Sequence, residues 1–153
     1  MIVTFCGHKE KYYSSALTDA LERRLRDILE TDPRAVFYLG DYGDFDLTCN
    51  RVLRDLQGEY PHLRRIFVTP YLAPNYAHLN LHAEHYDEVL YPFTEKVMPR
   101  FAISKRNRWM VDQADLVIAC VDYGFGGAAA TLRYALGKGK RIVNLGKYAP
   151  EKN

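Results

Sequence analysis

What is scarce in this chain narrows it first. Cysteine occurs three times in 153 residues, at Cys6, Cys49 and Cys120, each alone among apolar neighbours. An odd number without close pairs argues against a disulfide framework and against a zinc cluster. Buried thiols in a reducing cytoplasm are the expectation, so the chain is expected to be cytoplasmic. Net charge is only +2, too little to suggest nucleic acid or an anionic membrane as the main partner. No apolar run approaches the roughly 18 residues of a membrane span. Ile2–Cys6 follows Met1 with no basic region and no small-residue cleavage site, so no signal peptide is expected. Neither a P-loop nor a G-x-G-x-x-G fingerprint is present, which weighs against ordinary ATPase and dehydrogenase chemistry.

What is present is a patterned chain, 48% hydrophobic and 26% charged, consistent with one globular domain over residues 1–153. Short apolar runs rich in β-branched and aromatic residues lie at Ile2–Cys6, Ala35–Leu39, Arg65–Thr69, Leu116–Val121 and Arg141–Leu145. They are near-continuous, as strands covered on both faces are. Between the first two, Leu17, Leu21, Leu25, Ile28 and Leu29 repeat at helical spacing, with Ser14 or Ser15 to cap the start and Asp32-Pro33 to end it. Cys49, Val52, Leu53 and Leu56 form a second stripe, with Asp44 or Asp46 near its cap. Ala129, Leu132 and Leu136 form another, closed by Gly137 and Gly139. Alternating strands and helices predict right-handed crossovers on a parallel sheet. The expected fold is α/β, a single Rossmann-like doubly wound parallel sheet of about five or more strands with helices on both faces. Residues 70–99 hold four of the seven prolines and break the rhythm. They are expected to form an irregular excursion with at most one short helix.

Ligands of open parallel sheets bind beyond the C-terminal ends of the strands, so the turns there carry the functional information. After the first strand comes Gly7-His8. The second is followed by "LGDYGDFD", with Gly40, Asp41, Tyr42, Gly43 and Asp46, and the strand ending at Val121 by "DYGFGGAAAT". Glycine lets a backbone approach a ligand closely, and its amides at a helix N-terminus attract anions. One such turn is unremarkable in a βα connection. Three at one end of a sheet point to a ligand seat, with Gly126 and Gly127 the expected phosphate site.

Arg106, in "SKRNRWM", precedes Trp109 and Met110 by helical spacing, so its stem can lie beside their buried face. Lys105, Arg106 and Arg108 look like a basic helix start, poorly matched to the positive end of the helix dipole unless an anion is near. His78, His82 and His85 form H-x3-H-x2-H, conceivable as a metal site but expected to be a polar, partly exposed segment. Asp41, Asp44 and Asp46 could suggest a cation, although a helix cap is the simpler use of Asp44. No metal and no cofactor is therefore expected.

With these residues assembled, the chain resembles the SLOG superfamily, which joins the LOG phosphoribohydrolases and the DprA/Smf proteins. The resemblance runs from Ile2 to Leu145. It is carried by "FCGHKE", by "LGDYGDFD" as a Gly-x-x-Gly-x-Asp turn, by "RNRWMVDQADLVIACVD" and by Gly126-Gly127. It implies a nucleotide phosphate at Gly126-Gly127 and a role for Arg106, with Asn107 standing where LOG enzymes have lysine. The LOG catalytic glutamates correspond to Leu132 and Arg133, so the resemblance carries over binding rather than that hydrolysis.

The favoured function is binding or sensing of a nucleotide-like small molecule through Gly7, His8, Gly40, Asp41, Tyr42, Gly43, Asp46, Arg106, Asn107, Gly126 and Gly127. Tyr42, Tyr123 or Phe125 could stack on its base. The alternative is an N-glycosidic hydrolase with a substitute carboxylate from Asp46, Glu84 or Asp87. No membrane partner is expected, nucleic acid is disfavoured, and a homodimer is allowed.

Overall fold

The computed structural model describes residues 1–72 and 83–150. Six strands form one parallel sheet: β1 (Ile2–Gly7), β2 (Val36–Leu39), β3 (Arg64–Val68), β4 (Glu88–Leu90), β5 (Leu116–Cys120) and β6 (Arg141–Asn144). Their order is β4-β3-β2-β1-β5-β6. Four helices connect them: α1 (Ser15–Thr31), α2 (Asp44–Leu56), α3 (Pro99–Gln113) and α4 (Gly127–Gly137). This is the expected α/β Rossmann-like architecture. No helix among the described residues is long and apolar enough to cross a membrane.

Two layers of core flank the sheet. On one side Leu21, Leu25 and Leu29 of α1 and Cys49, Leu53 and Leu56 of α2 pack on Val3, Phe5, Phe37 and Ile118. On the other, Val111 of α3 and Ala129, Leu132 and Ala135 of α4 pack on Cys6, Val117 and Ala119. β5 is buried along its whole length, which is why its sequence, Leu-Val-Ile-Ala-Cys, is apolar without alternation.

Helix starts are where sequence and structure part. Ser14 caps α1 as expected, its Oγ accepting the Leu17 N–H at 3.2 Å. α2, however, has as its N-cap Gly43, whose φ is +96° and which has no side chain to cap with. Asp44 is therefore not the cap. Its carboxylate instead accepts the Lys11 amide at 2.8 Å, tying the β1–α1 loop to α2. α3 starts at Pro99, well before Lys105, Arg106 and Arg108, so these lie mid-helix and the dipole conflict inferred from them does not arise. Pro99 in the first turn is itself a start signal.

The excursion also holds more order than expected: a 3-10 turn at Ala83–His85 and then β4. β4 pairs with β3 over three residues, Glu88 to Leu90 against Ile66 to Val68. So short an edge strand, mostly exposed, leaves little hydrophobic signature. Arg65 anchors this region from the end of the sheet opposite the glycine turns. Although 6% exposed, it donates to Asn50 Oδ1 and the His85 carbonyl and pairs with Asp87 at 3.5 Å.

Candidate functional site

β1 and β5 are neighbours, but the chain leaves them in opposite directions, β1 towards β2 and β5 towards β6. The reversal opens a crevice at their C-terminal ends, where open α/β sheets hold ligands. A cavity of about 630 Å³ occupies it. Gly7 and His8 reach it from β1, Tyr42 and Asp46 from the β2–α2 turn, Arg106 and Asn107 from α3, and Gly126 and Gly127 from the β5–α4 turn. Four segments distant in sequence thus share one wall.

The other three expected residues stand behind that wall. Gly40 is buried against Arg106, and a Cβ built on it would lie 2.9 Å from the guanidinium carbon. Asp41 has φ of +49°, and its Oδ1 accepts the Tyr86 hydroxyl at 2.7 Å. Gly43 packs on the Lys9 backbone, which a Cβ would meet at 2.5 Å. These residues shape the turn rather than border the cavity.

Gly126 forms the N-cap of α4 at φ +90°, a left-handed conformation that glycine adopts without strain. No side chain among the described residues caps this helix, so its first amides are left to water or to an anion. Apart from the adjoining backbone, nothing among the described residues lies within 4 Å of where a Cβ on Gly126 or Gly127 would be. This is open, unfilled space at a positive helix end.

Arg106 is 1% exposed. Ala102, Arg106 and Met110 share the buried face of α3 at a spacing of four, which puts a guanidinium where an aliphatic side chain would normally pack. Its Nη1 donates to the carbonyls of Gly40 at 2.8 Å and Val68 at 2.9 Å, and Nε donates to Asn107 Oδ1 at 2.9 Å. Its partners are therefore dipoles. No carboxylate among the described residues lies within ion-pair distance of it, and Asp46 acts on it only through the field.

Asp46 lies in the first turn of α2 and accepts the Tyr42 amide at 3.0 Å. Burial pushes its carboxyl up to about 6; the Tyr42 amide and Arg106 oppose the rise, and Asp41 adds to it. It is thus a carboxyl that changes charge near neutral pH, on the wall of the cavity.

A column of rings also borders the cavity. His8 stacks on Tyr123 with centroids 3.9 Å apart, and Tyr123 on Phe125 at 4.2 Å. His8 is buried, while Phe125 is 70% exposed, so the column runs from the core to the mouth. Tyr42 lies on the wall beneath the Lys9 ammonium, 4.8 Å from its ring centre. Lys9, Arg100 and Ser104 also border the cavity and were not expected there. Recognising Pro99 as a helix start would have brought Arg100 and Ser104 onto the same helix as Arg106.

The remaining candidates lie elsewhere. Glu84 faces His85 at 3.7 Å and Asp87 serves Arg65, so neither borders the cavity. Leu132 is in the core, and Arg133 donates to the Gly124 carbonyl at 2.8 Å. His78 and His82 fall outside the described residues, and no group of three or more potential ligands among the described residues is placed to hold a metal ion.

No protein-family model matches the chain, and no curated protein matches its sequence. Solved structures do match it. DNA processing protein A from Helicobacter pylori, described with a single-stranded DNA binding mode, aligns at TM-score 0.63 and 16% identity over 99% of this chain and 66% of that one. DprA from Streptococcus pneumoniae aligns at 0.61 and 15% over 93% and 49%. The protein TM1055 aligns at 0.59 and 14% over 92% and 71%. The chain therefore spans about two thirds and about half of the two DprA chains. At these identities the likeness establishes the fold alone, the one the DprA structures have. The expectation against nucleic acid finds no support in it.

Proposed function

We propose that the cavity binds a nucleotide or nucleotide-derived molecule. One observation carries the reading: a helix N-terminus with no side-chain cap and a buried arginine with no carboxylate partner, both among the described residues, meet an aromatic column open to solvent in the same space of about 630 Å³. A phosphate suits the amides at Gly126 and Gly127, with the charge of Arg106 behind it. Asp46 is placed to accept from sugar hydroxyls, and Phe125, Tyr123 or Tyr42 offers a face to a base. Gly40, Asp41 and Gly43 contribute at one remove, by shaping the turn that holds Arg106 and Asp46.

The test is mass spectrometry of small molecules released by denaturing the purified protein, followed by calorimetric titration with nucleoside monophosphates. Because the Helicobacter pylori relative is described with single-stranded DNA, an oligonucleotide belongs in the same series. A recovered nucleotide, or saturable binding of a monophosphate, supports the reading. Failure of every monophosphate to bind overturns it.

Asp46 favours a second reading, hydrolysis of an N-glycosidic bond. A carboxyl near 6 retains enough of its protonated form to donate to a departing base while the C1′–N bond breaks and water adds at C1′. The products would be the free base and the sugar phosphate. Chromatography of a nucleoside monophosphate after incubation separates the two readings, since only the hydrolase liberates free base.

A further inference from the structure

We propose that His8 is a tautomer-locked, uncharged hydrogen-bond donor that fixes an acceptor oxygen of the ligand, and that it does not serve the cavity as a base. The inference rests on the reading of the cavity as a ligand site. Its ground is what each ring nitrogen does. Nε2 accepts the backbone N–H of Asp122 at 2.9 Å, so in the neutral ring this nitrogen carries the lone pair and Nδ1 the proton.

Nδ1 has no hydrogen-bond partner among the described residues. Yet none of their enclosed side-chain nitrogen or oxygen atoms lacks one, so Nδ1 must retain open surface. His8 is only 6% exposed and borders the cavity, which is where that surface faces. Stacking on Tyr123, with 12° between the planes, fixes the plane in which the Nδ1–H points. The result is a donor on a largely buried ring at the edge of the ligand space, without a partner among the described residues.

Protonation would place a hydrogen on Nε2 directly against the Asp122 N–H. Burial also disfavours the charged ring, as does Lys11, while Asp122 acts the other way. A neutral donor adds direction without charge, complementing Arg106 and the α4 terminus. A sugar phosphate offers two kinds of matching oxygen, on the phosphate and on the sugar.

Ring 15N correlation spectra of the unliganded protein at neutral pH test the first half. The expected result is His8 protonated on Nδ1. A proton on Nε2, or a charged ring, overturns the proposal whatever the ligand. AMP titration tests the second half. The expected result is that His8→Phe, which keeps a stacking ring, lowers affinity roughly five- to fiftyfold. His8→Asn, whose amide nitrogen can stand near the Nδ1 position, is expected to recover most of that loss. Parent-like affinity in His8→Phe defeats the donor role and leaves the cavity reading intact. If no probe binds the parent protein, both fall. Inorganic phosphate, ribose and ribose 5-phosphate then identify the oxygen: the arm that shifts the Nδ1–H resonance as AMP does contains it, and no shift with AMP overturns the contact.

Discussion

The carbonyl of Gly40 accepts a hydrogen bond from Arg106 Nη1 at 2.8 Å, and its missing side chain leaves the room in which the guanidinium lies. A glycine in the β2–α2 turn and an arginine on α3 are thus one structural unit. Gly40→Ala would press a methyl group to 2.9 Å from the guanidinium carbon. The expected cost is about 1–3 kcal/mol, as for other overpacked cores, read by chemical denaturation. AMP affinity should fall with it, because Arg106 must shift.

The two buried arginines should behave differently. Arg65→Ala removes a partner from Asn50, the His85 carbonyl and Asp87 and is expected to destabilise by roughly 3–5 kcal/mol. At a temperature where the variant is folded, its AMP affinity should match the parent's. Arg106→Ala also destabilises, through the orphaned carbonyls of Gly40 and Val68. In addition it should weaken AMP about ten- to a hundredfold, the loss of one charge-assisted contact. Calorimetry on both variants separates a structural arginine from one that also serves a ligand.

Gly127 gives the sharpest test of the phosphate seat. Its missing side chain faces open space, and its φ is not positive. Gly127→Asp should therefore cost well under 1 kcal/mol, since a carboxylate in the first helical turn even suits the dipole. Affinity for AMP should nevertheless collapse by more than tenfold, because the carboxylate occupies the anion position. A folded variant with unchanged affinity would leave these glycines as a turn and nothing more. Gly126→Ala is the contrasting case: at φ +90° it should lose about 1–2 kcal/mol through backbone strain alone.

Asp46 predicts a pH signature of unusual sign. Its carboxyl is raised to about 6 in the folded protein, against roughly 3.9 unfolded. Between these values the folded state holds more protons than the unfolded state, so this residue makes stability fall as pH rises from about 4 to 6. Asp46→Asn keeps an oxygen for the Tyr42 amide and removes the ionisation. The variant should be more stable than the parent at pH 7, by an amount of order 1–3 kcal/mol, with the difference vanishing near pH 4. Thermal melts of both proteins across that range are the check, and a constant difference would contradict it.

The residue pattern alone determined a good part of this molecule. Uninterrupted apolar runs such as Leu116–Cys120 mark strands buried on both faces, and the leucines of α1 repeat at 3.6-residue spacing. Strand-helix alternation then leaves a parallel sheet as the economical arrangement. The glycine turns at Gly7, Gly40 and Gly126 were legible as well, because rules of topology bring all βα turns to one end of such a sheet. β4 was not, since three edge residues bury too little to leave a pattern, and Asp44 was misplaced because a cap depends on backbone geometry that composition does not encode.

Only the tertiary structure decided what each of those turns does. Gly40, Asp41 and Gly43 belong to the same motif as Asp46, yet they support the wall that Asp46 borders, a difference set by packing against Arg106, Tyr86 and Lys9. Arg106 looks like any helical arginine until the carbonyls of Gly40 and Val68 close around it. His8 becomes a directed donor only because β1 and β5 are adjacent and bring the Asp122 amide to its Nε2. Local periodicity reports which face of an element is buried. Which groups meet there depends on strand order, through contacts more than a hundred residues apart in sequence.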